Sequence, residues 1–564
     1  MNHASQKLRA LAWDTLAAFL VFAAPFANFL AVRDYGFLHF EVLAAFGALL
    51  LLAGALALVV ALRPDSLRPI VFALLVVVVF FGEVVMPRTL AAQLSPVMEE
   101  AAKFLALFLP VTAVMWCLRA HISKVVAVAF GAMVLSSLVL PKPPVESIAV
   151  VETEQSPAND RGPVVHLILD QQIGLNGLVD QIPGARVMRG ELLRLYQSAG
   201  FRVYGSAFTH FPATLESLPN MVNASVEPNA HRWVDFQAGH GKLKENRWFR
   251  HLRAQGYAID VLQSGYVDFC ADPLAPVARC ETFNRKDIRI LHEVDAGALD
   301  KAHYLLLYSF SVDYEKLFRA ARLGWHLVRK AGAAVGLEVP AWEAQGLSPS
   351  TVVSLNLMDH VAARLETIGP GEAYIAHLFL PHHPYVLEES CRVKTRLGDW
   401  IERKSPLWWA SMPSDPERQR LRYREYFKQM RCLNRRLAEL FGILERRGLA
   451  EDATIIIHGD HGSLITRLEP LAGNEASLSP LDIVSGYSTF FALKAPGVQP
   501  GVDPGFASIQ WLFARHVMGR ADVAEHQDIY LMPDGGVIGP GQRRRPMVPL
   551  TPLADDRPVQ ASRR

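Results

Sequence analysis

Two short apolar segments end in residues suited to a divalent metal. VVHLIL (Val164–Leu169) runs into Asp170, and TIIIHG runs into Asp460, His461 and Gly462. β-branched runs of this length read as buried strands, and in α/β sheets ligands bind beyond the carboxyl ends of strands. A carboxylate beside an imidazole offers two donors that zinc or manganese accepts. An aspartate after a strand also caps helices, so Asp170 alone is open to that simpler reading. Taken with Asp460 and His461, it points to one site assembled by folding. A candidate nucleophile lies in FTHFPATLESLPNMVN (Phe208–Asn223), where Thr214 sits just before a helix-like stretch. A helix N-terminus presents free N–H groups and a positive dipole end, suited to phosphate or sulfate. A hydroxyl there, deprotonated by a metal, can attack phosphorus. Threonine is also a favoured N-cap that needs no chemistry, and on this segment alone the cap is the simpler reading.

The elements that must position these residues alternate in type. The runs Val164–Leu169, Tyr304–Tyr308, Tyr374–Leu380, Thr454–Ile457 and Thr489–Leu493 read as strands, and Glu417–Arg447 reads as a helix. That alternation predicts an α/β domain with a mainly parallel central sheet over residues 164–541. Residues 142–163 are polar and Pro-rich, a linker composition, and the basic tail 542–564 reads as disordered. Cys270, Cys280, Cys391 and Cys432 lie in this half, an even number that fits disulfides in an oxidising compartment. Of the connectivities open to them, the local pairs Cys270–Cys280 and Cys391–Cys432 are expected.

The N-terminal part differs in kind. Ala10–Val32, Glu41–Leu62, Ile70–Met86, Ala102–Leu118 and Val125–Leu140 are apolar runs, the last three short for a span. They predict a bundle of about five transmembrane helices over residues 1–141, and the first is no cleaved signal peptide. With the N-terminus in the cytoplasm, Lys7, Arg9, Arg63, Arg68, Arg119 and Lys124 fall inside and Arg33, Arg88, Lys103 and Lys142 outside. This modest bias exports everything after Leu140. Asp14, Glu41 and Glu83 lie in or beside spans, where such groups pair between helices or mark function. Cys117, in the fourth run, reads as an inert thiol. A formal charge of +2 and a mean hydropathy of +0.17 exclude a purely soluble chain and give no reason to expect nucleic acid.

Read together, VVHLILDQQ, TLESLPNMVN, HLFLPHHPYV, IIIHGDHGS and FFALKAPG resemble the alkaline phosphatase/sulfatase superfamily. They are most similar to its membrane-anchored branch, the lipid A phosphoethanolamine transferases and lipoteichoic acid synthases. WFRHLRAQGY resembles the helix and turn that follow the nucleophile in these enzymes. The resemblance implies an exported sulfatase-like domain behind the membrane helices. It implies Asp170, Thr214, Asp460 and His461 as metal ligands, with Thr214 also the nucleophile. It makes His382 the phosphate-binding or proton-donating histidine, with His383 the second candidate. Arg467 becomes a phosphate contact, and Lys494 matches a position sometimes basic in sulfatases, although a surface lysine at a strand end is the simpler account. The cofactor implied is one or more divalent ions, zinc first, with manganese compatible by ligand type.

The chain departs from the sulfatase pattern at Gln171, where a second aspartate is usual. T-L-E-S-L, with Ser217 three residues after Thr214, lacks the cysteine or serine and the arginine of the sulfatase motif. It departs from the transferases in having Asp170 where glutamate is usual and no histidine soon after Asp-His-Gly. The expectation is a bacterial inner-membrane, multi-pass enzyme with its catalytic domain in the periplasm. It would move phosphoethanolamine or phosphoglycerol from a phospholipid donor to a cell-envelope lipid or glycan acceptor such as lipopolysaccharide. The alternatives are a phosphodiesterase or sulfatase with water as acceptor, and a non-catalytic lipid- or glycan-binding protein of the envelope.

Overall fold

A computed structural model describes residues 3–62, 66–80, 96–140, 148–313, 347–402, 415–533 and 548–549, except 154, 159, 238 and 239, with a few more residues between 325 and 337. Arg63, Glu83, Arg88, Lys142 and all of the basic tail but residues 548–549 lie outside the described residues. The chain forms two compact units. One holds Met1–Val145, Leu291–Trp342 and Thr395–Leu397, and the other holds the remainder.

The first unit contains α1 (His3–Val32), α2 (Phe40–Ala61), α3 (Leu67–Phe80), α4 (Pro96–Cys117) and α5 (Ile122–Val139). Among the described residues, three helical stretches, Ser5–Val32, Phe40–Ala61 and Ile122–Val139, are long and apolar enough to cross a membrane, and Leu67–Phe80 and Ala102–Cys117 are shorter. Asp14 on α1 is paired rather than bare: Arg68 donates to its Oδ1 from Nε at 3.1 Å and reaches Ser123 Oγ at 2.7 Å. A buried carboxylate is tolerated in such a bundle because a cation and a hydroxyl satisfy it. Cys117 is a free, exposed thiol.

The second unit is built on a nine-stranded sheet. Its strands are β1 (Ile148–Glu152), β2 (Val164–Leu169), β3 (Arg202–Phe208), β6 (Ala258–Ser264), β8 (Arg279–Phe283), β9 (Glu372–Leu378), β10 (Thr454–Gly459), β11 (Phe491–Lys494) and β12 (Gly501–Ser508). The order is β1-β8-β6-β9-β2-β10-β11-β3-β12. β8, β6, β9, β2 and β10 run parallel, and β1 and β11 run antiparallel to their neighbours. Every residue of β2 is buried, as a strand covered on both faces requires. β4 (Val234–Gln237), β5 (His240–Leu243) and β7 (Val267–Asp268) make a small second sheet. Helices α6 (Ala185–Ser198), α7 (Thr214–Val222), α8 (Arg247–Ala254), α10 (Ser350–Leu365), α11 (Pro416–Arg446) and α12 (Pro480–Tyr487) are among the helices of this unit. Asp415 caps α11 by accepting from the Glu417 and Arg418 N–H groups, with Pro416 in the first turn.

Two expectations change. Tyr304–Tyr308 is not a strand: it lies within α9 (Ala298–Asp313), which belongs to the first unit and packs the Tyr308 ring edge-on to Phe29 of α1 at 5.9 Å. The segment read as linker contributes β1, an edge strand paired with β8, because IAVVE has strand character despite its Pro-rich flanks. The cysteines pair as Cys270–Cys280 and Cys391–Cys432.

Candidate active site

β2 and β10 are parallel neighbours in register, Leu169 beside Gly459, so the residues that follow them emerge side by side. Asp170 and the pair Asp460-His461 therefore meet at one end of the sheet. Ligand atoms of Asp170, Asp460 and His461 all lie within 4.8 Å of one another, and all three residues are buried. Both turns hold close to neighbouring chain. A Cβ at Gly459 would stand 2.4 Å from the Gln172 carbonyl oxygen, and one at Gly462 would stand 2.2 Å from that of Ser485. Only glycine lets the Asp460 loop pass between them.

Thr214 completes the group. It is the first residue of α7, and the cap position belongs to Ala213. The Thr214 hydroxyl is therefore not spent on capping: it donates to Asp460 Oδ2 at 2.7 Å and lies 3.4 Å from His461 Nε2. Asp460 Oδ1 accepts the Gln171 and His461 backbone N–H groups at 2.9 and 2.8 Å. The His461 ring gives Nδ1–H to the Gly462 carbonyl at 2.9 Å, leaving the Nε2 lone pair 3.2 Å from Asp460 Oδ2. Two buried lone-pair atoms facing each other at that distance call for a cation or proton between them. Two carboxylates, an imidazole and a hydroxyl are a donor set that suits zinc and, by ligand type, manganese.

The histidine loop after β9 approaches the same place. His382 donates from Nδ1 to the His383 carbonyl and turns Nε2 toward Asp170 Oδ1, 4.0 Å away. His383 instead meets Glu402 at 3.0 Å and the Gln171 side chain at 3.2 Å. Gln171, where a second aspartate was absent, thus contacts the histidine loop, and its backbone is held in the left-handed region at φ 65°. The Arg467 side chain is exposed while its backbone N–H is bound by Asp482 at 2.6 Å.

Lys494 is not brought to the group. β11 runs antiparallel to β10, so Lys494 pairs with Ile455 at the strand's start. Five residues of strand, roughly 16 Å, separate that point from Asp460. Its amine meets the Ala199 carbonyl at 3.2 Å and Glu451 at 3.3 Å, which fits the simpler reading of a lysine at a strand end, here half-buried.

Several residues position the group, and of them only Ser217 was singled out in the sequence. Ser217 donates to the Asp460 carbonyl at 2.6 Å and exchanges a bond with Thr209 at 2.8 Å. Tyr426 of α11 donates to the Gln171 carbonyl at 2.7 Å and accepts from the Ile173 N–H at 3.0 Å. One turn on, Gln429 donates to the Pro381 and His382 carbonyls at 3.0 and 2.7 Å and accepts from Val386 N–H at 3.0 Å. Thr351 adds a bond to the His382 carbonyl at 2.8 Å. Three fully buried histidines also underlie the site. His377 on β9 lies 3.7 Å from Asp170 Oδ2, and burial pushes its pKa down to about 4, so it is neutral. His458 gives Nδ1–H to the Gly459 carbonyl at 2.8 Å, which leaves its Nε2 to accept from His166 Nε2–H at 2.7 Å. A polar residue inside an otherwise apolar strand, as in VVHLIL and TIIIHG, was their visible signal.

No family model matches the chain, and no curated protein matches it. Solved structures similar to it are sulfatases, alkaline phosphatase superfamily proteins and a periplasmic domain. The C-terminal periplasmic domain of EcEptC from Escherichia coli is 13% identical, with a TM-score of 0.37 over 74% of this chain and 99% of that one. A protein in the alkaline phosphatase superfamily from Vibrio parahaemolyticus is 12% identical, with a TM-score of 0.34 over 65% of this chain and 68% of its own. A 2-O GAG sulfatase is 10% identical, with a TM-score of 0.38 over 65% and 77%.

Proposed function

We propose that the chain is a membrane-anchored, metal-dependent transferase that moves a phospho-substituent from a phospholipid to an envelope acceptor through a phosphothreonine at Thr214. The observation that carries this reading is the Thr214 hydroxyl, uncommitted to capping and placed 2.7 Å from Asp460 Oδ2 among the metal-competent groups. A divalent ion held by Asp170, Thr214, Asp460 and His461 would supply Lewis-acid activation of the hydroxyl and neutralise phosphoryl charge.

The residues then have defined tasks. Thr214 Oγ1 forms the bond to phosphorus as the bond from phosphorus to the diacylglycerol oxygen breaks, and Asp460 Oδ2 receives the hydroxyl proton. His382 has Nδ1–H committed to a carbonyl and so works through Nε2. It protonates the departing diacylglycerol oxygen and then takes the proton of the acceptor hydroxyl. That hydroxyl attacks the same phosphorus, the Thr214–phosphorus bond breaks, and Asp460 returns the proton to Thr214. His383 and Gln171 hold the histidine loop against the metal loop. Helices able to cross a membrane suit a donor that is itself a lipid. The catalytic unit would face the periplasm of a bacterial inner membrane.

Release of diacylglycerol from phosphatidylethanolamine or phosphatidylglycerol vesicles tests the reading. The full chain with zinc should release it with the head group recovered on an added glycan or lipid acceptor, and Thr214→Ala should not. Head group recovered only as the free phospho-alcohol would instead mark a hydrolase.

A further inference from the structure

We infer a second divalent-metal site in the first unit, formed by His39, Glu41 and His292 and suited to a zinc-type ion. His39 lies in the turn between α1 and α2, Glu41 in the first turn of α2, and His292 in the short segment that leads to α9. Folding brings these donors together from points far apart in the chain. One ligand atom from each lies within 4.8 Å of the other two, and His292 Nδ1 is 3.9 Å from Glu41 Oε1.

The chemistry of the three matches the ion. Two imidazoles and one carboxylate form a common zinc donor set, with the remaining position open to water or an anionic oxygen. Zinc bonds of about 2.0–2.2 Å place donors about 3.3 Å apart in a tetrahedron, so closure needs only rotamer-scale movement of the two exposed histidines. The carboxylate is the fixed member: Glu41 is buried, and Tyr35 donates its hydroxyl to Glu41 Oε1 at 2.7 Å. An outer partner of this kind orients a metal-binding carboxylate.

The local backbone supports the arrangement. A Cβ on Gly36 would stand 2.7 Å from the His39 ring, so glycine is what lets that ring lie over the turn. The His292 ring stacks on that of Tyr35 at 4.5 Å and lies tilted to that of His39 at 4.2 Å. The competing account is an aromatic stack with a His292–Glu41 ion pair and no metal. Lys301 of α9 also acts on Glu41 and favours that account by supplying another cation. Bound metal would staple the α1–α2 turn to the chain entering α9.

Zinc content of the full-length protein in detergent, equilibrated with micromolar zinc and measured by elemental mass spectrometry, separates the two. The inference predicts that His39→Ala/His292→Ala loses one zinc per chain relative to the parent. It also predicts that Asp460→Asn/His461→Ala keeps that zinc, and that combining all four substitutions removes it. An unchanged count in the first variant, or no zinc in the second, overturns it. An Asp460 variant with the parental count would contradict the proposed catalytic metal and leave this site standing. If the double substitution impairs folding, His292→Asn alone should bind cobalt at this site at least about tenfold more weakly, the scale of loss that even outer-shell changes produce. Unchanged affinity would overturn the site.

Discussion

Ser217 donates its hydroxyl to the Asp460 backbone carbonyl at 2.6 Å, one helical turn beyond Thr214. The helix that presents one hydroxyl is thus tied by a second to the loop that presents the carboxylate. The distance between Thr214 and Asp460 is set by two bonds rather than one. Gln510 closes the group by donating to Thr209 at 3.2 Å.

Removing that tie has a predictable effect. Ser217→Ala leaves the Asp460 carbonyl and Thr209 short of a partner in a fully buried place. Losses of this kind are about 1–3 kcal/mol. Denaturant unfolding of the full chain should show a loss in that range, with slower transfer. Parental stability and parental rate together would deny Ser217 its positioning role.

Gln429 should separate loop placement from metal binding. Gln429→Ala removes the bonds to the Pro381 and His382 carbonyls and to the Val386 N–H, none of which touches Asp460 or His461, and leaves the His382 carbonyl its bond from Thr351. Transfer should fall while zinc content at the Asp460 site stays at the parental level. Loss of zinc in this variant would show that the histidine loop supports the metal directly.

A pH dependence follows from His360 on α10 and Glu281 on β8. The hydrogen bond to Glu281 raises the His360 pKa above 6.5, against burial. Burial works against the Glu281 carboxylate, yet bonds from His360 and Arg279 hold its pKa below 4.5. The imidazole's stabilisation is full below its unfolded value and is lost as pH rises through the higher folded one. The carboxylate's is present above its unfolded value and is lost as pH falls through the lower folded one. Thermal unfolding of His360→Gln should therefore show a larger loss at pH 5.5 than at pH 9. Equal losses at both would contradict the assignment.

How far the sequence revealed these features depended on how local their causes were. β2 and β10 were legible because strands buried on both faces read as continuous apolar runs, and the aspartates after them were exposed by position alone. YLLLY failed as a strand because a short apolar run carries no period that separates strand from helix. The polar residues of ALDKAHYLLLYSFSVD fit one helical stretch instead. That Lys494 lies away from the group follows from the reversed direction of β11, which no residue in FFALK announces. Tyr426, Gln429 and Thr351 were invisible because their partners are backbone groups brought to them only by the fold.

The central claim is a covalent phosphothreonine. Its most direct test is intact mass spectrometry of the full chain, loaded with zinc and incubated with phosphatidylethanolamine or phosphatidylglycerol without acceptor. The account predicts an added mass of one head-group phosphate, mapped to the peptide carrying Thr214 and absent from Thr214→Ala. An unmodified Thr214 in protein that turns over either lipid, or the same added mass in Thr214→Ala, would contradict it.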